Sequence, residues 1–265
     1  MNRDCLFDVA HACLVAEDVE QKLQLTEAAS VAWKSGKLSL SPIASASPVE
    51  QAGHPSKPIL VDPQQLERRG LGSDRGRAVM IHAITHIEFN AINLAWDAVH
   101  RFKQMPEDYY SDWVQVALDE AYHFRLLQKR LQSYGHEYGD FPAHNGLWDL
   151  ACRTAHDPLV RMALIPRMME AHGLDVTPNI IRRFERVGDH ETVEALQVIM
   201  REEISHVKAG NRWFQYLCQQ RVLEPESTYF GLLDQFNTTV LKKILNRDAR
   251  LQAGFSHAEI ERLSR

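Results

Sequence analysis

The chain has 265 residues, 45% of them hydrophobic and 25% charged, and a net charge of −5. That is ordinary for a soluble globular protein with a sizeable core, and the acidic balance gives no sign of a nucleic-acid or membrane partner. No run of 18 apolar residues is present to span a bilayer, and Cys5, Cys13, Cys152 and Cys218 form no Cys-x-x-Cys, which excludes a rubredoxin-like iron site or a zinc knuckle.

The N-terminus, Met1-Asn2-Arg3-Asp4, leads into a charged amphipathic stretch rather than an apolar signal core. Reduced thiols and the lack of a signal point to a cytoplasmic protein. Residues 4–35 read as one amphipathic helix, with Leu6, Val9, Ala10, Cys13, Val19, Leu23 and Leu25 at helical spacing and Gly36 ending it. Residues 36–72 hold Pro42, Pro48, Pro55, Pro58 and Pro63 among serines and glycines, so they read as an extended connection with a short helix at 63–69. Residues 1–72 thus form a helix and linker packed on the helical segments of residues 73–222.

Residues 73–222 carry four long apolar-periodic segments. The first starts at an N-cap, Ser73 or Asp74, and runs to about Lys103, with Ile81, Ile84, Glu88, Ile92, Ala95 and Val99 on one stripe. The second covers about 107–134, with Gly135 just past its end. Its stripe is Trp113, Val116, Ala117, Glu120, His123, Phe124, Leu127 and Leu131. An aromatic and histidine-rich crossover comes next at 136–156, with a short helix at about 145–154. The third segment starts at Asp157-Pro158 and ends at Gly173, with a kink expected at Pro166, one turn before Glu170. Thr177-Pro178 opens a further short helix to about Val187. The fourth long segment begins at Asp189 and runs to about Gln220, with Leu196, Ile199, Met200, Glu203, His206, Val207, Gly210, Trp213 and Leu217 in line. Residues 223–265 read as a helix at 226–246 and a polar tail with Ser256 as an N-cap. No strand-like alternation of useful length occurs, so the fold class is all-α.

The chemistry sits in two repeated phrases, Glu120-Ala-Tyr-His123 and Glu203-Ile-Ser-His206. Residues three apart on a helix share a face, about 5–6 Å apart at Cβ. A lone Glu-x-x-His is weak evidence, since chance supplies about one in a chain of this composition. Here both phrases fall on otherwise apolar stripes, where an ionised carboxylate without a cation costs on the order of several kcal/mol. Glu88 precedes Glu120 by 32 residues, and Glu170 precedes Glu203 by 33. The order Glu, Glu-x-x-His, Glu, Glu-x-x-His is the ligand pattern of a carboxylate-bridged two-metal site in a four-helix bundle. Oxygen and nitrogen donors without thiolate suit iron first and manganese second. Glu120 and Glu203 read as bridging ligands, Glu88 and Glu170 as terminal ones, and His123 and His206 as completing one metal each. His82, His86 and His172 are rotated off the ligand faces and read as surface or supporting residues. His144 and His156 lie in the crossover and read as structural or as approaching the site, and Arg182, Arg183 and Arg186 read most simply as a solvated helix face, with a phosphate-bearing partner as the alternative.

The pattern resembles the ferritin-like di-iron carboxylate superfamily over about 74–220. Tyr138-Gly-Asp-Phe-Pro-Ala-His144, Thr154-Ala-His-Asp157 and Glu170-Ala-His-Gly-Leu-Asp175 are similar, more closely, to the family called DUF455, over nearly the whole chain from the first long helix onward. The superfamily likeness implies a four-helix bundle holding two metal ions at Glu88, Glu120, His123, Glu170, Glu203 and His206. It also implies dioxygen as co-substrate, an organic small-molecule substrate, an electron donor and the activity of an oxidase or monooxygenase. A ferroxidase, peroxide-scavenging or metal-binding protein without organic substrate is the first alternative. A transfer-RNA-modifying hydroxylase is a further one, and a homodimer stays open.

Overall fold

The computed structural model describes residues 4–40, 49–67, 70–237 and 245–264. The all-α expectation is met: apart from a two-residue parallel pairing of Asp4–Cys5 with Leu38–Ser39 and an isolated bridge, the described regular structure is helical. Among the described residues no helix is long and apolar enough to cross a membrane. The chain groups into two compact units, residues 1–152 and 153–265.

The first unit contains helices α1 (Leu6–Val15), α2 (Val19–Lys34), α3 (Asp74–Arg101) and α4 (Glu107–Ser133), with most of α5 (Gly146–Arg153). The single helix expected over 4–35 is two. Ala16 and Asp18 adopt extended backbone, and the Asp18 carboxylate caps α2 by accepting from Gln21 N at 2.8 Å. The buried Lys22 ammonium reaches back to donate to the carbonyls of Cys13 (2.8 Å) and Leu14 (3.0 Å), the acceptors left open where α1 stops. Helix α3 starts at the Ser73 cap, which accepts from Gly76 N at 3.1 Å. It packs along α4 and against α1, while α2 packs on α4. Trp96 donates to Thr26 Oγ1 at 2.9 Å and His100 to the Phe7 carbonyl at 3.0 Å, fixing α3 against the two N-terminal helices. Ile81, Ile92, Trp96, Val99, Phe124 and Leu127 are buried in this core. Burying each large apolar side chain contributes about 1.5–3 kcal/mol.

The helix expected at 63–69 is a single 3-10 turn, Pro63–Gln65, capped by Asp62. Residues 41–48, with Pro42 and Pro48, and residues 68–69 lie outside the described part. The rest of the linker is extended and pairs with the crossover: Val61 N donates to Ala143 O at 2.8 Å, and Ala143 N to Ile59 O at 3.0 Å. Gly139 makes this approach possible. Its φ is +106°, and a Cβ there would meet Lys57 Cβ at 2.8 Å.

The second unit contains α6 (Pro158–Leu164), a π-helical turn (Ile165–Glu170), α7 (Ala171–Arg186), α8 (His190–Gln220), α9 (Pro225–Gln235), α10 (Arg247–Gln252) and α11 (His257–Leu263). Two expectations change here. The break at Pro166 is a π-helical turn that ends on Glu170, and α7 then runs unbroken through Gly173 and Pro178. Proline at 178 has no N–H for the Leu174 carbonyl, and Asn246 Nδ2 donates to that carbonyl instead, at 3.2 Å. Helix α8 lies close against the turn because residue 210 is glycine: a Cβ there would come within 2.2 Å of Pro166 Cβ.

The C-terminal region is not the polar tail expected. Of the helix anticipated at 226–246, Pro225–Gln235 forms α9, and residues 238–244 lie outside the described part. Helices α10 and α11 return to the core of the unit, α11 behind a capping box of Ser256 and Glu259. Buried Arg250 pairs with Asp175 at 2.6 Å, and buried Arg167 pairs with Glu259. The Arg167 guanidinium is ringed by Tyr229 (4.2 Å), Phe214 (4.5 Å) and Phe255 (4.9 Å).

Candidate metal centre

In the first unit, α3 presents Glu88 and α4 presents Glu120 and His123 from their packed faces. Each residue sits among apolar neighbours one helical turn away, so its position follows from helix phase. Glu88 is 5% exposed, Glu120 1% and His123 0%. His123 Nδ1 lies 3.3 Å from Glu88 Oε2 and 3.3 Å from Glu120 Oε2. One ligand atom from each of the three falls within 4.8 Å of the others.

The electrostatics of this trio call for a cation. Burial, and then the neighbouring Glu120 charge, pushes the Glu88 carboxyl well above the usual carboxylate range. Burial alone would push the His123 imidazole down, but the hydrogen bonds and charges of Glu120 and Glu88 outweigh it and push it up. Without metal, His123 keeps its proton beside Glu120, and the raised Glu88 carboxyl holds its own proton more readily. A divalent ion suits the same place: two carboxylates and an imidazole, without thiolate, are donors for a first-row metal with bonds of about 2.0–2.2 Å. The residues therefore fit a metal ion.

The second unit repeats the motif on different backbone. Glu203 and His206 lie on α8, with His206 Nδ1 3.3 Å from Glu203 Oε1. His206 is buried, whereas the Glu203 side chain is 15% exposed. Glu170, the last residue of the π-helical turn, is half-buried. The neighbouring Glu202 side chain is more open, at 31% exposed, and lies 3.5 Å from Arg201.

The remaining histidines divide. His82 and His86 are buried, so the surface half of their sequence reading fails. His82 Nε2 accepts from Gly139 N at 2.9 Å. His86 Nε2 lies 3.1 Å from the His144 carbonyl, an obligate acceptor. Nδ1 lies 2.8 Å from Tyr138 Oη, and Asn90 Nδ2 lies 3.0 Å from Nε2. Burial and then His86 push His82 down to about 4, and burial pushes His86 down to about 4 as well, so both are neutral clamps on the crossover. His144 is half-buried and accepts from Gly146 N at the start of α5 (3.1 Å), His156 is exposed, and burial lowers half-buried His172. Arg182 and Arg186 are exposed and Arg183 half-buried on α7, in keeping with a solvated face. The sequence reading missed a second polar stripe on α3, formed by His86, Asn90 and Asn93. The signal was present as polar residues recurring at i, i+4 and i+7.

Comparison with known proteins gives a family without an assigned activity. The family described as "Protein of unknown function (DUF455)" matches residues 15–261. A Haemophilus influenzae protein described as "Uncharacterized protein" is 42% identical over 217 residues, covering 79% of this chain and 75% of its own length. No solved structure matches the chain. With a match that spans both units and every residue of the two Glu-x-x-His phrases, the chain belongs to the DUF455 family.

Proposed function

We propose that this protein is a ferritin-like, non-haem di-metal carboxylate protein that uses dioxygen to oxidise or hydroxylate a small organic substrate. One observation carries the reading: Glu88, Glu120 and His123 converge on buried helix faces with ligand atoms within 4.8 Å. The same Glu-x-x-His phrase on α8, with Glu170 ahead of it, supports a second ion held by the second unit's residues. This is the di-metal reading that the order Glu, Glu-x-x-His, Glu, Glu-x-x-His implies.

Four carboxylates offset the four positive charges of two divalent ions, so the occupied centre is neutral and its burial is affordable. Glu88, Glu120, Glu170 and Glu203 would hold the ions through their carboxylates. His123 and His206 would each supply a neutral imidazole, which would require His123 to give up its proton on loading. Two reduced iron ions, or iron with manganese, would supply the electrons for dioxygen reduction there. The apolar stripe around Glu120, including Val116, Ala117 and Phe124, keeps water from the ligands.

The near-complete burial of Glu120 and His123 favours a second reading, iron oxidation or peroxide scavenging without an organic substrate. The deciding experiment is elemental analysis of protein expressed with iron and manganese, joined to anomalous diffraction at both edges. Two ions per chain are expected. Dioxygen uptake by the reduced, loaded protein that needs no iron substrate and rises with added organic substrate separates oxidase from ferroxidase. Metal at background in protein never exposed to chelator overturns both readings.

A further inference from the structure

The face of α3 turned away from Glu88 carries His86, Phe89, Asn90 and Asn93. At about 100° per residue, the middle of this stripe lies roughly 150° round the helix from Glu88. The stripe borders a partly enclosed cleft of about 110 Å³ within the first unit, and Tyr138 and Trp148 stand among its other walls. That volume approaches the size of a void that holds one small aromatic ring.

The chemistry of the lining is restrictive. Among the described residues no Asp, Glu, Lys or Arg contributes to it, so they give it no fixed charge to attract an ion. Most of its polar groups are already committed. His86 is held between Tyr138 Oη and the His144 carbonyl. Trp148 Nε1 donates to the Glu50 carbonyl at 3.0 Å, and Asn145 Nδ2 to Asp149 at 3.1 Å. Asn93 is the exception. It is 1% exposed, and its amide oxygen is buried with no hydrogen-bond partner among the described residues. An orphaned buried acceptor is uncommon in a folded protein and calls for a specific occupant.

We propose that this cleft is a binding site for a small, uncharged, flat organic molecule that donates one N–H or O–H hydrogen bond to Asn93 Oδ1. The aromatic walls supply stacking and apolar contact, and the amide oxygen supplies orientation. The site is separate from the metal ligands and does not rest on the metal reading.

The test titrates phenol, toluene and benzoate into the full-length chain, metal-free and metal-loaded, and follows the Asn93 side-chain amide and Trp148 indole signals by 1H–15N spectroscopy. Phenol has ring and donor, toluene has the ring alone, and benzoate adds charge. Phenol is expected to shift both signals in both metal states, about tenfold tighter than toluene, with benzoate silent. Asn93→Leu is expected to keep toluene binding and abolish the preference for phenol. Leu60→Phe, which fills the cleft from the linker side, is expected to weaken both ligands and decides the matter alongside the wild-type comparison where Asn93→Leu fails to fold. Equal affinity for phenol and toluene, no shift with either, or an undiminished phenol preference in Asn93→Leu overturns the proposal.

Discussion

The two Glu-x-x-His segments look alike in sequence and differ in the backbone that carries them. In the first unit, Glu88, Glu120 and His123 stand on two regular helices and meet with ligand atoms within 4.8 Å. In the second, Glu203 and His206 stand on a regular helix, but Glu170 ends a π-helical turn and is half-buried. A regular helix fixes the direction of a side chain to within its rotamers. A π-helical turn is uncommon and is found most often at functional sites, where a locally unwound backbone leaves room for adjustment. Equal spacing along the chain therefore does not mean equal rigidity. The first unit holds a tightly grouped candidate ligand set, and in the second the leading carboxylate stands at the end of a π-helical turn.

Removing one carboxylate from each unit puts the two sets to the most severe test. Glu120→Ala and Glu203→Ala are both expected to empty or uncouple the centre, falling from two ions per chain to one or none, as counted by elemental analysis. Retention of two ions by either variant removes that residue from the bridging role.

Removing the metal comes next. Metal-free protein is expected to melt lower than loaded protein at neutral pH, by about 4 kcal/mol per ion where free metal exceeds Kd a thousandfold. In the metal-free state Glu88 and His123 both have raised folded pKa values. A raised carboxyl costs stability as pH climbs above its unfolded value near 4.5. A raised imidazole gives stability that is full below its unfolded value near 6.5 and fades as pH rises through the folded one. Both signs agree, so the contribution of these two groups favours the metal-free fold as pH falls from 8 towards 5. The difference in melting temperature between the two forms should narrow over that window. A gap that widens on acidification contradicts the trio's electrostatics.

Changes confined to the second unit probe the contrast on a smaller scale. Gly210→Ala places a methyl against Pro166 and is expected to cost about 1–3 kcal/mol by denaturant unfolding, with loss of one ion rather than both. Asn246→Ala leaves the Leu174 carbonyl without its partner over Pro178 and should cost about 1 kcal/mol, with metal content unchanged. The smallest effect is expected from Glu202→Ala, a few tenths of a kcal/mol and no loss of metal, because that side chain is rotated by about 100° from Glu203.

What the sequence made legible was local. Ser73, Asp157, Asp189 and Ser256 accept hydrogen bonds from the first turns of their helices, as their residue types announce. The ligand faces of α3, α4 and α8 follow from apolar spacing alone. What escaped was enforced from a distance. The break after Val15 depends on Lys22 turning back to two carbonyls, and nothing in the spacing of 4–35 records it. Helix α7 survives Pro178 because of an asparagine 72 residues beyond Leu174 in the chain. Arg167 and Arg250 carry no signal of burial in the sequence, because the rings and carboxylates that enclose them come from separate segments. The cleft beside Asn93 was hidden for the same reason, since its walls come from the linker and the crossover as well as α3.

The clamp on Arg167 sets an order of events during synthesis. That arginine lies three residues before Glu170, inside the turn that aims it, and Glu259 stands 92 residues further along the chain. On the ribosome, the turn has neither its carboxylate partner nor the Phe255 ring until those residues have emerged. By then Glu88, Glu120 and His123 have long been free of the exit tunnel. The two Glu-x-x-His segments therefore acquire their full surroundings at different times.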